Sequence, residues 1–449
     1  MAYIKAKFHS LLMSQRIVII GNGVAGITAA RFIRKKSNYS ITVISGESEY
    51  FFSRTALMYV FVGHMKFEHI KPYEDWFWKK NKINLAFDMV KSVSFSEKKV
   101  TLGKGEIIAY DKLIIATGSK SKQLGCSGEN LNGVHTLYSL QDLARLDESS
   151  SDKSNAVIIG GGLVGIELAE MLHSRGIRVE FLIREDAYWR DVLALEEAEL
   201  ISRHIKKYGI TLRCDTQVKA FIGNSTNEVE SVITNDDQNI TCDLACVAVG
   251  VIPNVDFLRN TELKIESGIL VNQYLETNIP DIFAIGDCAQ IINPDPGRKK
   301  IEPVWYAGKF MGEVVANTVC GNSMEYHPGN WYNSAKFFDI EYQVYGYVPN
   351  EKTSETEWFY WEDSGTEKSM RLVWSKNNNS FLGIQTLGIR VSHPVIDSWI
   401  SKKIKIGQVI IGLEKINFDP EFFTRHEKKI RNQFKKEFPE LMRSKELTT

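Results

Sequence analysis

Two glycine-rich turns are the parts of the sequence whose spacing indicates chemistry. Both have the pattern G-x-G-x-x-G, and each follows a short apolar run and precedes a stretch with helical spacing of apolar residues. In such a motif one glycine makes the turn, one lets a pyrophosphate approach the backbone, and one lets helix and strand pack closely, with the helix N-terminus facing the phosphates. Two matches in this context predict two dinucleotide-binding sites rather than two structural turns. The predicted contacts are Gly21, Gly23, Val24, Ala25 and Gly26, and Gly160, Gly162, Leu163, Val164 and Gly165.

Charged residues near the second strand of each unit bear on which nucleotide is bound. Glu47 lies about 20 residues after the first motif, where an acidic side chain would hold ribose hydroxyls; the alternative is a solvated loop glutamate. The second unit lacks an acidic residue at the matching point and has Arg184 and Arg190 nearby. Arginines suit a 2′-phosphate, which favours NADPH over NADH. The alternative is a pair of surface arginines that neutralise Glu185 or Asp186.

Each turn lies inside a predicted β-α-β unit. The first has strands at 16–20 and 41–44 around a helix at 27–36, and the second has strands at 156–159 and 179–183 around a helix at 166–175. The polar stretch 149–154 is typical of a linker. Further strands are predicted at 112–116, 245–249 and 282–285. The predicted fold class is α/β, with two Rossmann-like three-layer domains.

The chain changes character from about residue 325, where aromatic residues become dense. Strand-like runs at 370–374 and 381–387 predict an antiparallel sheet in a third, α+β domain. A terminal helix at 421–438 has apolar residues at helical spacing, namely Phe423, Ile430, Phe434 and Phe438. Its other face is basic, which leaves open contact with a membrane surface or an acidic redox protein. Packing on its own domain is favoured, since glutamates interrupt the basic face.

Composition bounds the class of protein. The 449 residues include 55 basic and 55 acidic side chains, so the formal net charge is +0. This balance argues against nucleic acid or an anionic membrane as the main partner. The six cysteines form no C-x-x-C pair, and no window approaches the ~18 apolar residues of a membrane helix. Reduced thiols and a cytoplasmic location are expected, in about three domains.

Together with Ala116-Thr117-Gly118 and Gly286-Asp287, the two turns give the sequence a resemblance to a known superfamily. Over residues 14–325 it resembles the two-dinucleotide-binding-domain flavoproteins of the pyridine nucleotide–disulfide oxidoreductase-like group. The resemblance implies that the first turn binds FAD and the second binds the nicotinamide cofactor. It implies an FAD-binding domain at 14–128 and 255–325, an NAD(P)H-binding domain at 129–254, and a C-terminal domain at 326–449.

The resemblance also implies roles for individual residues. It places Ala116, Thr117 and Gly118 beside the FAD, and Gly286 and Asp287 at its ribityl or pyrophosphate region. Glu167 is expected near the nicotinamide and flavin ring, and Gly250 in the turn that closes the nucleotide domain. Trp305 is expected either at the flavin–nicotinamide interface or in the core.

Residues 51–59 distinguish between branches of the superfamily. Disulfide reductases carry a C-x-x-x-x-C pair in this region, whereas this chain has no cysteine there. The stretch is similar to the Tyr-x-Arg-x-x-Leu segment of rubredoxin reductases, ferredoxin reductases and the flavin part of nitrite reductases. Arg54 and Leu57 fit that segment, whereas Phe52 replaces the tyrosine. Tyr59 stands where some ferredoxin reductases have a lysine.

The resemblance implies an FAD-dependent NAD(P)H oxidoreductase. Hydride would pass to flavin N5, and electrons would then pass to a separate acceptor such as a rubredoxin or ferredoxin. No catalytic acid or base is required, and no cysteine set for an iron–sulfur cluster or histidine cluster for a metal is present. The alternatives are a type II NADH:quinone dehydrogenase at the membrane surface and a flavin-binding sensor of low turnover. A homodimer is left open.

Overall fold

The computed structural model describes residues 15–418 and 424–442. These residues form two compact units. The first consists of the described residues up to Leu124, with His135–Asp152 and Val249–Pro328. The second consists of Gly125–Val134, Lys153–Ala248 and the described residues from Gly329 onward. Within those described ranges, no helix combines the length and apolarity needed to cross a bilayer.

Most of the predicted NAD(P)H-binding domain therefore shares a unit with the predicted C-terminal domain. The division into three functional domains stays a prediction, because a compact unit can contain more than one such domain.

The helices and strands follow one another along the chain as expected for repeated β-α-β units. As far as residue 149 they are β1 (Arg16–Ile20), α1 (Val24–Lys36), β2 (Ser40–Ser45), α2 (Leu57–Phe61), α3 (Trp76–Lys80), β3 (Ile83–Phe87), β4 (Val90–Ser94), β5 (Lys99–Leu102), β6 (Ile107–Ala109), β7 (Lys112–Ile115), β8 (Ser119–Ser121), β9 (Val134–Thr136) and α4 (Leu140–Ser149). Next come β10 (Asn155–Ile159), α5 (Leu163–Ser174), β11 (Arg178–Leu182), α6 (Leu195–Lys207), β12 (Thr211–Arg213), β13 (Val218–Gly223), β14 (Val229–Thr234), β15 (Asn239–Thr241) and β16 (Leu244–Val247).

The remaining elements complete the first unit and then form the C-terminal domain. The former are β17 (Val251–Pro253), β18 (Ile269–Val271), β19 (Ile282–Ala284), β20 (Ala289–Ile291) and α7 (Trp305–Val319). The latter are β21 (Tyr332–Phe337), β22 (Ile340–Gly346), β23 (Thr356–Glu362), β24 (Ser369–Ser375), β25 (Phe381–Leu387), α8 (His393–Ser401), α9 (Ile406–Ile411) and α10 (Glu427–Glu437).

A parallel sheet lies at the centre of each unit. In the first unit the order is β19-β7-β1-β2-β3, and every neighbouring pair is parallel. In the second, β12-β11-β10-β16 are also parallel. Both sheets have buried apolar strands, as parallel sheets covered on both faces require. Because parallel strands all end at one edge, the turns after β1 and β10 come out at the carboxyl edges where nucleotides bind.

The C-terminal domain has the predicted antiparallel sheet, in the order β21-β22-β25-β24-β23. The terminal helix is shorter than predicted, with α10 at Glu427–Glu437, and Phe423 lies outside the described residues. Ile430 and Phe434 are buried in this domain, and the Phe434 ring meets Phe359 edge-on at 5.2 Å. The apolar face of α10 therefore packs on its own sheet, while Lys428, Lys429, Lys435 and Lys436 are exposed.

Candidate functional site: two glycine turns and the charges beside them

The first glycine turn leads from β1 into α1. Gly23 is the N-cap residue of α1, and no side chain caps the helix there. A Cβ atom on Gly23 would meet nothing within 4 Å, whereas one on Gly26 would lie 2.0 Å from the Gly21 carbonyl oxygen. The middle glycine thus leaves the helix N-terminus open to an anion, and the last glycine permits the close packing of helix on turn. Val24 and Ala25 lie in the first turn of this helix.

Arg54 is the centre of a polar cluster in the same unit. Its guanidinium donates to both carboxylate oxygens of Glu47, at 2.8 and 2.5 Å, and to the Tyr138 carbonyl oxygen at 2.5 Å. The guanidinium carbon also lies 4.5 Å from the centre of the Tyr138 ring. Glu47 in addition accepts from the backbone N–H of Leu140, at 2.9 Å, in the first turn of α4. Glu47 is therefore a partly buried partner of Arg54 and not a solvated loop side chain.

Asp287 belongs to this cluster through Ser119 and the charge of Arg54. The Ser119 hydroxyl donates to Asp287 Oδ2 at 3.0 Å, and the Ser119 N–H donates to the Tyr138 hydroxyl at 3.0 Å. Burial raises the pKa of Asp287, while Ser119 and Arg54 act to lower it. Burial and the nearby Asp287 charge raise the pKa of Tyr138 to about 12. We call Glu47, Arg54, Ser119, Tyr138 and Asp287 the Arg54 cluster.

The other residues expected at this site lie around the ends of the same strands. Ala116 follows β7, and the Thr117 hydroxyl donates to the Asn254 carbonyl oxygen at 2.8 Å. Asn254 N–H donates in turn to the Gly118 oxygen at 2.9 Å. Gly286 follows closely after β19, and its backbone approaches α1, since a Cβ there would lie 3.0 Å from Ala25 Cβ. A Cβ on Gly21 would lie 2.1 Å from the Ala116 oxygen, so the stretches that contain Ala116 and Gly286 both lie against the first glycine turn and its helix.

Trp305 and Gly250, two further residues expected at the site, contact other parts of the first unit. Trp305 begins α7, and its ring stacks on Phe51 with centroids 6.1 Å apart. Because Phe51 is buried and Trp305 only partly so, the tryptophan lies at the edge of the core. Gly250 has a φ of 105° and accepts from the Lys122 N–H at 3.0 Å, just before β17.

The second glycine turn repeats the construction of the first. Gly162 is the N-cap of α5, which has no side-chain cap, and the space above it is open. A Cβ on Gly165 would lie 2.1 Å from the Gly160 oxygen. Leu163 and Val164 are in the first turn of α5, so the helix begins earlier than the predicted residue 166. The predicted start was too late because the residues that follow Gly162 within the glycine motif already belong to the helix.

Glu167 lies one turn into α5 and is partly buried. Burial, reinforced by the charge of Glu170, raises its pKa to about 7. Burial, and to a lesser extent the charge of Glu167, raises the pKa of the fully buried Tyr188. The Tyr188 hydroxyl donates to the Gly162 oxygen at 3.3 Å. A carboxyl group that titrates near neutral pH therefore lies beside the second turn.

The two arginines after β11 are engaged with protein groups. Arg184, 66% exposed at its side chain, pairs with Glu185 at 2.5 Å and Asp191 at 2.9 Å. Arg190 donates to the Leu193 oxygen at 3.1 Å and the Asn350 oxygen at 3.5 Å. Glu185 is only 18% exposed, and its Oε2 would lie 3.7 Å from a Cβ on Gly161. An acidic side chain thus does lie next to this turn, about 20 residues after Gly165, as Glu47 lies about 20 residues after Gly26. The expectation that the second unit lacks an acidic residue at the matching point is therefore wrong, because Glu185 occupies it.

Sequence reasoning missed three groups of these sites: Ser119, Tyr138 and Glu185. Tyr138 is separated from Arg54 by 84 residues, so no local spacing connects them. The signal for Glu185 is its position about 20 residues after Gly165, in the loop after β11 and next to Arg184.

Two parallel sheets, each with a glycine turn that leads into a helix, are typical of proteins that bind two dinucleotides. The model of the pyridine nucleotide-disulphide oxidoreductase family matches residues 15–309. The chain therefore belongs to this family and is an oxidoreductase. The predicted superfamily, fold class and enzyme class are confirmed, and binding of FAD and NAD(P)H is supported.

Individual relatives agree with this assignment. The chain is 31% identical over 318 residues to an NADH-rubredoxin oxidoreductase of Clostridium acetobutylicum, which covers 70% of this chain and 77% of the relative. It is 30% identical over 340 residues to a ferredoxin–NAD(P)(+) reductase of a Sphingomonas species, covering 74% and 80%. The fold is similar to the ferredoxin reductase for the CYP199A2 system of Rhodopseudomonas palustris, with a TM-score of 0.77, 22% identity and coverage of 92% and 99%.

Proposed function

We propose that the protein is an FAD-dependent NAD(P)H oxidoreductase that passes electrons to a separate small redox protein. The observation that carries the proposal is the pair of glycine turns, each with an uncapped helix N-terminus and open space above its N-cap glycine. Two such turns in one chain suit two dinucleotides, one of which can reduce the other.

The residues of the first unit suit FAD. The N-terminus of α1, with Gly21, Gly23, Val24, Ala25 and Gly26, would hold the pyrophosphate. Arg54 supplies a fixed positive charge, and the acceptor lone pairs left on Glu47 suit ribose hydroxyls. Asp287 would accept from the ribityl chain. When bound, FAD supplies the hydride-accepting ring and can release electrons singly or in pairs.

The residues of the second unit suit the pyridine nucleotide. The N-terminus of α5, with Gly160, Gly162, Leu163, Val164 and Gly165, would hold its pyrophosphate. Glu167 would lie at the nicotinamide end, where its neutral form at pH 7 and below can donate a hydrogen bond.

The ion pairs around Arg184 bear on the choice between NADH and NADPH. Two carboxylates already neutralise Arg184, and Glu185 lies against the turn. A 2′-phosphate would meet this negative charge, whereas a ribose 2′-hydroxyl could donate to it. We therefore propose that NADH is preferred, the reverse of the order that the sequence favours.

The proposed acceptor is external, because residues 51–59 contain no cysteine through which electrons could be relayed. Relatives that are named as rubredoxin and ferredoxin reductases support a small redox protein as that acceptor.

The test is anaerobic mixing of the FAD-loaded protein with NADH and with NADPH. Loss of the oxidised-flavin absorbance is expected, faster with NADH. The reduced protein is then mixed with rubredoxin, a [2Fe–2S] ferredoxin and a water-soluble quinone, and flavin reoxidation is followed. If neither nucleotide bleaches the flavin, the protein is a flavin-binding sensor and the proposal fails; reoxidation by the quinone alone would identify a quinone reductase.

A further inference from the structure

The loop between β11 and α6, residues 184–193, is held by the C-terminal domain. The Asn350 side-chain amide donates to the Arg190 carbonyl oxygen at 3.0 Å, and the Arg190 guanidinium donates back to the Asn350 oxygen at 3.5 Å. The same guanidinium donates to Leu193 within the loop. Arg190 therefore connects its own loop to residue 350, which follows β22 in the second unit.

Trp189, in this loop, has an unfavourable backbone conformation. Its φ is 56°, in the left-handed region that a bulky side chain adopts only where its surroundings hold it. The surroundings are two rings of the β21–β22 hairpin. Trp189 meets Phe337 at 5.6 Å and Tyr342 at 5.3 Å, both edge-on. The hairpin thus fixes the path of the loop.

Tyr188 extends this contact to the glycine turn. Its buried ring meets Phe337 edge-on at 5.7 Å, and its hydroxyl donates to Gly162. Gly162 is the N-cap residue of α5, whose N-terminus faces the proposed pyrophosphate site. One ring of the C-terminal domain, Phe337, therefore supports both the loop on the adenosine side and the turn at the pyrophosphate.

We propose that Phe337, Tyr342 and Asn350 are positioning residues for the pyridine nucleotide. In this assignment the C-terminal domain keeps the 184–193 loop and the second glycine turn in the geometry that binds NAD(P)H, in addition to any contact with an acceptor. The inference rests on the proposed function, since it requires that the second turn binds a pyridine nucleotide. The three residues act through Trp189, Arg190 and Tyr188 and need not touch the nucleotide.

The test compares N350A and F337L with wild type, all loaded with FAD. N377A is the matched control, because Asn377 is an exposed asparagine of the same domain. Titration calorimetry with NAD⁺ and NADP⁺ measures binding, and ferricyanide reduction gives KM and kcat for NADH. N350A loses the hydrogen bond from the Asn350 amide to the Arg190 carbonyl oxygen and keeps the backbone oxygen that accepts from the guanidinium. This loss is expected to weaken nucleotide binding roughly 2- to 10-fold. KM for NADH should rise similarly in N350A, while its kcat, FAD content and Tm stay at wild-type values. F337L replaces a fully buried ring, so it should lower Tm as well as weaken nucleotide binding.

A purely structural role would lower Tm without changing the dissociation constant. If N350A and F337L bind both nucleotides as wild type does while wild-type flavin is reduced by NADH, the inference is overturned and the proposed function stands. If wild type neither binds nor is reduced by either nucleotide, the proposed function fails first, and the inference with it. Should F337L not fold, N350A alone decides.

Discussion

The two glycine turns share their backbone construction, but the charges beside them differ in exposure. At the first turn, Arg54 and Glu47 are 30% and 23% exposed, and Arg54 also binds the Tyr138 backbone. At the second, Arg184 is 66% exposed and pairs with Asp191, which is equally exposed, and with Glu185, which is 18% exposed. Partly buried, multiply bonded charges are fixed before a ligand arrives, whereas exposed pairs are weak and easily rearranged. The difference suits a resident cofactor at the first turn and an exchanging one at the second.

The largest expected effects come from breaking each turn separately. In G26A and G165A the added methyl would collide with the carbonyl oxygen of the first glycine of the same motif, Gly21 or Gly160. We expect G26A to lose FAD, and G165A to keep FAD but not be reduced by NADH or NADPH. The measurements are flavin absorbance per protein after gel filtration and the rate of anaerobic flavin reduction.

The control for both variants is G365A, since Gly365 is exposed and a Cβ there meets nothing within 4 Å. Equal loss of FAD from G26A and G165A would contradict the assignment of one nucleotide to each turn.

The second prediction uses the two arginines. Arg54→Met leaves Glu47 and Asp287 without their cation, so we expect weaker FAD binding and a free energy of unfolding lower by about 2–3 kcal/mol. Arg184→Met is the matched change at the exposed site and should cost less than about 1 kcal/mol. Denaturant unfolding of both variants measures the difference. Equal losses would show that the contrast in exposure has no energetic meaning.

The third prediction concerns pH. Because the folded-state pKa of Glu167 is raised to about 7, the native protein holds a proton that the unfolded chain releases near its ordinary pKa. Stability should therefore fall as pH rises towards about 7, by up to about 1.4 kcal/mol per unit from this group, and then level off. Glu167→Gln should remove that slope and be more stable than wild type at pH 8. Unfolding midpoints at several pH values test this, and an unchanged slope would contradict it.

The smallest expected effect is on nucleotide choice. Glu185→Gln removes the carboxylate beside the second turn, so kcat/KM for NADPH relative to NADH should rise on the order of 3-fold. Asp186→Asn removes a more exposed neighbouring charge and serves as the control. An unchanged or lower NADPH/NADH ratio in Glu185→Gln would contradict the proposal that this carboxylate disfavours a 2′-phosphate.

Local patterns were sufficient to predict the parts of the fold that are themselves local. The strands and helices of both β-α-β units follow from apolar runs and glycine spacing, and α1 and α5 differ only in starting a few residues earlier, inside the motif. Residues such as Tyr138 and Asn350 were not predictable. Their partners Arg54 and Arg190 are distant in sequence, and only the tertiary fold brings them together. The terminal helix was predicted from its periodicity, whereas the face that it buries follows from the rings of Phe359 and Trp374.

The discontinuity of the first unit has a consequence for synthesis on the ribosome. Strand β19 pairs with β7 at the edge of the first sheet, but all of Lys153–Ala248 is translated between the two. The nascent chain must therefore expose the β7 edge while the intervening segment emerges. Asp287, just after β19, joins Arg54 only then, so tight FAD capture should be a late event in biogenesis.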